Sequence, residues 1–242
     1  MFVRQTTIAA GPLERTAQAV TRWAEKWFPD AYIFAALAVV VVAIAAWTIG
    51  APITQVGIAF GDGYWSLIPF TMQMAIVAIS GYVVAVSPPA ATLIAWLARL
   101  PRNGRAAVAF VATVSMMTSF ISWAISLVFA GLLVRALARR TDLRMDYRAA
   151  GTAAYLGLGA TWALGLSSSA AQLQANAASL PATLLAITGV LPFSQTIFLP
   201  QSLLLAFVLL LVSVAIAYFS APHDANAITA SDLAVSLDCQ DP

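Results

Sequence analysis

Apolar residues fill four long stretches of this chain, and the polar positions between them are few and clustered. No Asp, Glu, Lys or Arg occurs in 31–61, 63–98, 106–134 or 149–223. The segments VVVVAIAAW and LLLAFVLLLVSVAIA are continuous rather than alternating, which excludes the short strands of an outer-membrane barrel. A spanning helix needs about 20 apolar residues. The pattern therefore predicts an all-α polytopic membrane protein, with about four full transmembrane helices, a re-entrant helical hairpin and an N-terminal interfacial helix. The expected parts are the interfacial helix in 1–30, a transmembrane domain in 31–219, and an acidic tail without fixed structure in 220–242.

Before the first apolar run, Leu13, Ala17, Val20, Trp23 and Trp27 recur every three or four residues. Glu14, Arg15, Gln18, Arg22, Glu25 and Lys26 take the other face. Pro12 suits a helix start and Pro29 an end, so this is a helix for the headgroup region. The first span is 31–50, closed by Gly50 and Pro52. A loop over 51–64 ends in Gly61-Asp62-Gly63-Tyr64-Trp65, whose aromatic residues suit a membrane interface. The second span follows from about Trp65 to Val86, where Ser87-Pro88-Pro89 stops it.

The run 106–134 is flanked by Arg99, Arg102 and Arg105 on one side and by Arg135, Arg139, Arg140, Arg144 and Arg148 on the other. The positive-inside rule draws both ends to the cytoplasm, yet two full spans need about 40 residues and only 29 are present. A re-entrant hairpin of two half-helices meets both constraints, with its hydroxyl-rich tip near Ser115, Thr118, Ser119 and Ser122. Irregular backbone at that depth must be buried in protein or line a wet cavity. The alternative is one over-long tilted helix with 135–148 outside.

After Arg148 a further span carries Ala153, Gly157, Thr161 and Gly165 at every fourth position, a face for close helix packing. It meets Gly165-Leu166-Ser167-Ser168-Ser169, then Gln172, Gln174 and Asn176, which reads either as an unwound segment or as a polar surface loop. The last span is 199–219.

Composition sharpens the class. The chain is 61% hydrophobic and only 9% charged, with a formal net charge of +2 and a mean hydropathy of +0.87; soluble domains carry roughly 25% charged residues. The charge is too sparse for a nucleic-acid footprint. Cys239 is the single cysteine, so no internal disulfide is possible. Acidic residues precede a first apolar run of spanning length, unlike a cleavable signal. No GxSxG, HExxH, Walker-type loop, Cys/His pair or carboxylate pair is present in the apolar runs, and no enzyme, metal site or cofactor is expected. Secondary transporters bind substrate where broken helices present N–H groups to an anion while carbonyls and hydroxyls hold a coupling cation. The candidate contacts are Ser119, Ser122, Trp123, Ser167, Ser168 and Ser169, with a small carboxylate as cargo and a proton or sodium ion as coupling ion. Asp62 is the one candidate for a proton relay, although a position between Gly61 and Gly63 also suits a plain turn residue.

Arg22-Trp23, Trp27-Phe28-Pro29-Asp30 and Ile33-Phe34-Ala35 resemble the opening of the bacterial short-chain fatty acid transporters, the acetoacetate and butyrate uptake permeases. Gly61-Asp62-Gly63-Tyr64-Trp65, followed by Phe70, Met72-Gln73-Met74-Ala75 and Gly81, resembles that family's second-span block. Trp123, Leu127-Val128, Gly131 and Arg135 resemble the next one. The match weakens after about 165, and Ser122 stands where the family has Asn. Members are about twice this length, so the resemblance covers their N-terminal half, one of two related repeats. It implies uptake of short-chain fatty acids across the bacterial inner membrane; ion coupling is the expectation for a secondary transporter, and the arginine pattern gives a cytoplasmic N-terminus. A half-fold would leave Ser115, Thr118, Ser119 and Ser122 facing lipid, so a homodimer or a second-half polypeptide is the expected partner. The rival functions are an inactive or regulatory half-transporter acting as a membrane scaffold, and a channel-like or exporting oligomer.

Overall fold

The computed structural model describes residues 12–28, 30–177, 180, 182–223 and 225–237, and among these it contains helices and turns but no strand. Residues 16–77 form one compact unit and the remainder of the described chain a second.

In the first unit, α1 (Pro12–Trp27) exposes Val20, Trp23 and Trp27. The Asp30 carboxylate then accepts the Tyr32 N–H at 2.9 Å, starting α2 (Ala31–Thr48). α2 ends at Gly50, whose φ of +95° suits a residue without a Cβ. Here Ala51 N–H reaches Ala46 O and Gly50 N–H reaches Trp47 O, each at 3.0 Å, the paired bonds of a Schellman turn. The chain re-enters helix at once. The expected loop over 51–64 is instead most of α3 (Ile53–Ser66), because Val56, Ala59 and Phe60 recur at helical spacing and line an apolar groove with Val39 and Val42 of α2. Glycines at 57, 61 and 63 masked that helix in the sequence. Leu67 separates α3 from α4 (Ile68–Ala85), where Pro69 lacks the N–H that would continue the ladder.

In the second unit, α5 (Pro88–Leu97) leads to α6 (Gly104–Ser119), whose N-terminus is capped by Asn103. A three-residue break, 120–122, separates α6 from α7 (Trp123–Ala138). The two lie antiparallel: Ser126 Oγ donates to Ser115 O at 2.7 Å near the tip. At the other end a Cβ on Gly104 would lie 2.8 Å from Arg144 O. This is a hairpin of two 16-residue helices, each about 24 Å long, and not one over-long helix. α8 (Tyr147–Leu156), capped by Asp146, widens into a π turn at Gly157–Thr161 and tightens into a 3-10 turn at Trp162–Leu164. Short helices α9 (Ser169–Gln174) and α10 (Ala182–Thr188) precede α11 (Pro200–Ser220), which coincides with the expected last span.

Two helical runs, Ile53–Ala85 and Pro200–Ser220, are long and apolar enough to cross a membrane. The α2, α5 and α7 segments are apolar but shorter, so four full-length spans are not matched one for one. The distribution of side chains points the same way as their length. Alanines such as Ala107, Ala112, Ala130 and Ala150 form the interior, while Val40, Val41, Leu204 and Phe207 face outward. Small residues inside and large apolar residues outside suit helices that pack in lipid. The chain is a membrane protein.

Candidate functional site

The break at the hairpin tip meets the break after α8. Leu166 N–H donates to Phe120 O at 2.7 Å, and Trp123 N–H, the first of α7, donates to Ser167 Oγ at 2.9 Å. Gly165 permits this contact: a Cβ there would sit 2.7 Å from Ser119 O and 2.8 Å from Phe120 Cα. Gly165 to Ser168 therefore form an irregular turn docked on protein rather than a surface loop, and Gln172 and Gln174 belong to the helix that follows.

Below the tip the arms of the hairpin and the π turn share buried hydroxyls. Ser115 Oγ donates to Ala154 O at 2.6 Å and accepts Gly157 N–H at 3.0 Å. It thus enters the α8 ladder just where the helix widens, a recognised cause of helix distortion. Ser119 Oγ lies 2.7 Å from Thr161 Oγ1 and donates to Met116 O at 2.9 Å. Thr161 in turn reaches back to Gly157 O at 3.3 Å. Gly157 is the closest approach, since a Cβ would fall 2.7 Å from Ser115 Oγ and against Ser126 Oγ. Among the described residues no buried side-chain nitrogen or oxygen lacks a hydrogen-bond partner.

Ser119, Ser122, Trp123 and Ser167 are thereby gathered at one junction. Ser119 is fully buried. Half-buried Ser122 caps α7, its Oγ 3.5 Å from Ile125 N. Ser168 and Ser169 belong to the start of α9, where the buried Ser168 hydroxyl accepts Ala171 N–H at 3.3 Å. Two expectations change. Ser115 and Ser119 are enclosed within the chain and do not face lipid, because α8 and its π turn cover them. Ser126 and Thr161, both fully buried, were not among the candidates. The signal for Ser126 was its spacing: 115/119 along α6 and 122/126 from the α7 cap inward each place two hydroxyls four apart.

The far end of the hairpin is cationic. Arg140 donates to Ala98 O at 2.9 Å and Pro101 O at 3.0 Å, and pairs with Asp142 at 2.7 Å. That guanidinium holds the Asp142 carboxyl below its ordinary value. Arg105 caps the last carbonyls of α11, Phe219 O at 2.7 Å and Tyr218 O at 3.0 Å. The tail, expected to lack fixed structure, lies along this end over 225–237. Buried Asp146 accepts Ile228 N–H at 3.0 Å, Tyr147 N–H donates to Ile228 O at 2.9 Å, and Arg139 donates to Leu237 O at 2.6 Å. Within it the Thr229 N–H and hydroxyl hold Asp232 below the usual carboxylate value. These bonds come from residues distant in sequence, which composition alone does not reveal. No group of three or more His, Cys, Asp or Glu side chains converges among the described residues.

The family described as short chain fatty acid transporter matches residues 12–237. The chain belongs to it. Relatives within this short-chain fatty acid transporter family include an Escherichia coli (strain K12) protein, 31% identical over 89% of this chain and 48% of its own length. A Haemophilus influenzae protein is 28% identical over 88% of this chain and 48% of its own. Each bears the name "Putative short-chain fatty acid transporter". The chain thus spans about half the length of the curated relatives it matches. No solved structure matches it. The resemblance read from the sequence is therefore a family relationship. In this member the family match runs through both breaks and on into the docked tail.

Proposed function

We propose that this chain takes part in ion-coupled uptake of short-chain fatty acids, small monocarboxylates, across the bacterial inner membrane. In this reading α1 lies in the headgroup region, the N-terminus is cytoplasmic, and the α6–α7 hairpin is re-entrant. The observation that carries it is the meeting of two helix breaks through the Trp123–Ser167 and Phe120–Leu166 hydrogen bonds. Such a junction places the N-terminus of α7, with its partial positive charge, beside hydroxyls in a chain otherwise poor in polar groups. Ser167 Oγ occupies the position at Trp123 N–H that a carboxylate oxygen would take. Substrate entry would then exchange one oxygen acceptor for another, with Ser119, Ser122, Ser168 and Ser169 as neighbouring contacts. A homodimer or a second-half polypeptide would complete the site.

A second reading, an inactive or regulatory half-transporter serving as a scaffold, draws support from the hydroxyls already satisfied inside the chain. Uptake of labelled butyrate into proteoliposomes separates the two. Transport by the wild type, weakened a few-fold to about tenfold by Ser122→Ala, supports the carrier, since one hydrogen bond contributes about 0.5–1.5 kcal/mol. Ser122→Asn should raise or redirect uptake at a binding position. Unchanged uptake in both variants, in a preparation that does transport, removes Ser122 from the site, and no uptake at all favours the scaffold.

A further inference from the structure

Asp62 is the only charged side chain between Asp30 and Arg99. In a turn beside Gly61 and Gly63 it would call for no explanation, but it lies inside α3 (Ile53–Ser66). α3 folds back from the Gly50 turn along α2. The groove they share is lined from Ala46 and Gln55, nearest the turn, to Val39 and Phe60. Asp62 follows two residues later, about 15 Å along α3 from the turn at 1.5 Å per residue. α2 has 18 residues and is about 27 Å long on the same scale, close to the roughly 30 Å thickness of a hydrocarbon core. Asp62 is therefore level with the middle of α2, an apolar helix of near-spanning length, and lies in the first third of the apolar run Ile53–Ala85. α2, the element packed against α3, carries no Asp, Glu, Lys, Arg or His; its titratable side chain is Tyr32 in its first turn, and α3 itself adds Tyr64. A Cβ at Gly61 or Gly63 would meet no atom within 4 Å, so the flanks of Asp62 are open.

We infer that Asp62 is the proton-carrying carboxylate that couples transport to the proton gradient. This rests on the transport reading above and names its coupling ion. Ionisable groups within a membrane are costly and mark ion pathways. A metal ion would need several oxygens around it, whereas among the described residues no group of three or more His, Cys, Asp or Glu side chains converges at Asp62 and the carbonyls of α3 are engaged in its own ladder. A proton needs one carboxylate. Asp62 would accept it from the outer side and release it inward as the acid crosses.

Two measurements on the full chain in proteoliposomes test this. First, dicyclohexylcarbodiimide, which enters lipid and attacks protonated carboxyls, should modify Asp62 faster as pH falls, while a water-soluble carbodiimide should not. Modification by the water-soluble reagent alone overturns the inference whether or not the protein transports. Second, labelled butyrate accumulation under an imposed proton gradient is compared with equilibrium exchange. In Asp62→Asn the ratio of accumulation to exchange should fall at least tenfold, and Asp62→Glu should restore part of it. An unchanged ratio, or accumulation that follows a sodium gradient instead, overturns the assignment. If the wild type neither accumulates nor exchanges butyrate, the transport reading and the coupling role fail together, and the labelling still decides whether Asp62 takes up a proton within the membrane.

Discussion

Trp123 and Ser167, 44 residues apart, join the N-terminus of α7 to the irregular turn after α8 through a 2.9 Å hydrogen bond. The first N–H groups of a helix have no partner within it, so this hydroxyl supplies one. Ser167→Ala should lower unfolding stability by about 0.5–1.5 kcal/mol, read as an earlier thermal midpoint in mild detergent. Ser167→Thr, which keeps the hydroxyl, should recover most of the loss.

Gly157 and Gly151 make a matched pair on one helical segment. Gly157→Ala forces a methyl onto the Ser115 and Ser126 hydroxyls and should cost about 1–3 kcal/mol, as overpacking does. Gly151 lies in α8 with nothing within 4 Å of a built Cβ. Gly151→Ala should be neutral or gain up to about 1 kcal/mol from helix propensity. Equal effects in thermal unfolding would show that the hairpin and the π turn do not pack as described.

Ser115 bonds both a donor and an acceptor of the α8 segment, whereas Ser126 mainly donates to Ser115 O. Ser115→Ala strands buried backbone groups and should cost about 1–3 kcal/mol; Ser126→Ala should cost less. Because the two share one network, the double variant should lose less than the sum. Additive losses would count against that network.

Acid should loosen the tail first. The carboxyls of Asp142 and Asp232 have folded values depressed below their unfolded ones. Each contributes stability that is present above the unfolded value and lost as pH falls through the folded one. With ordinary Asp near 3.9, protection of the Thr229 amide from hydrogen exchange should decline below about pH 4. Asp232→Asn should reduce that protection at neutral pH, and an unchanged rate would dissociate the turn from this carboxylate.

Segments 98–104 and 140–144 are held together by the Arg140 fork and the Gly104–Arg144 contact. In a variant lacking Cys239, single cysteines at 102 and 144 should both react with an impermeant reagent applied to one side of the membrane. Labelling from opposite sides would exclude the hairpin.

Much of this was legible. Asp30, Asn103, Ser122 and Asp146 are helix-capping residue types standing where helices begin, and the arginines on both flanks of 106–134 favoured a chain that returns on itself over one tilted helix. Helix α3 was hidden because its glycines weaken helix propensity, while the packing against α2 that overrides it is tertiary. Likewise, the bonds from Asp146 and Arg139 that order the tail join residues 82 and 98 positions apart. The role of Ser126 lay in a spacing that composition obscures, inside a run that reads as purely apolar.

Arg105 at the start of α6 grips the end of α11 across 113 and 114 residues of chain. Synthesis proceeds from the N-terminus, so the flank of α6 that α11 covers is made long before its cover. Contacts this remote form late, after the loop between them has closed. A chain stalled near residue 200 would carry that flank bare beside an arginine with no carbonyls to hold.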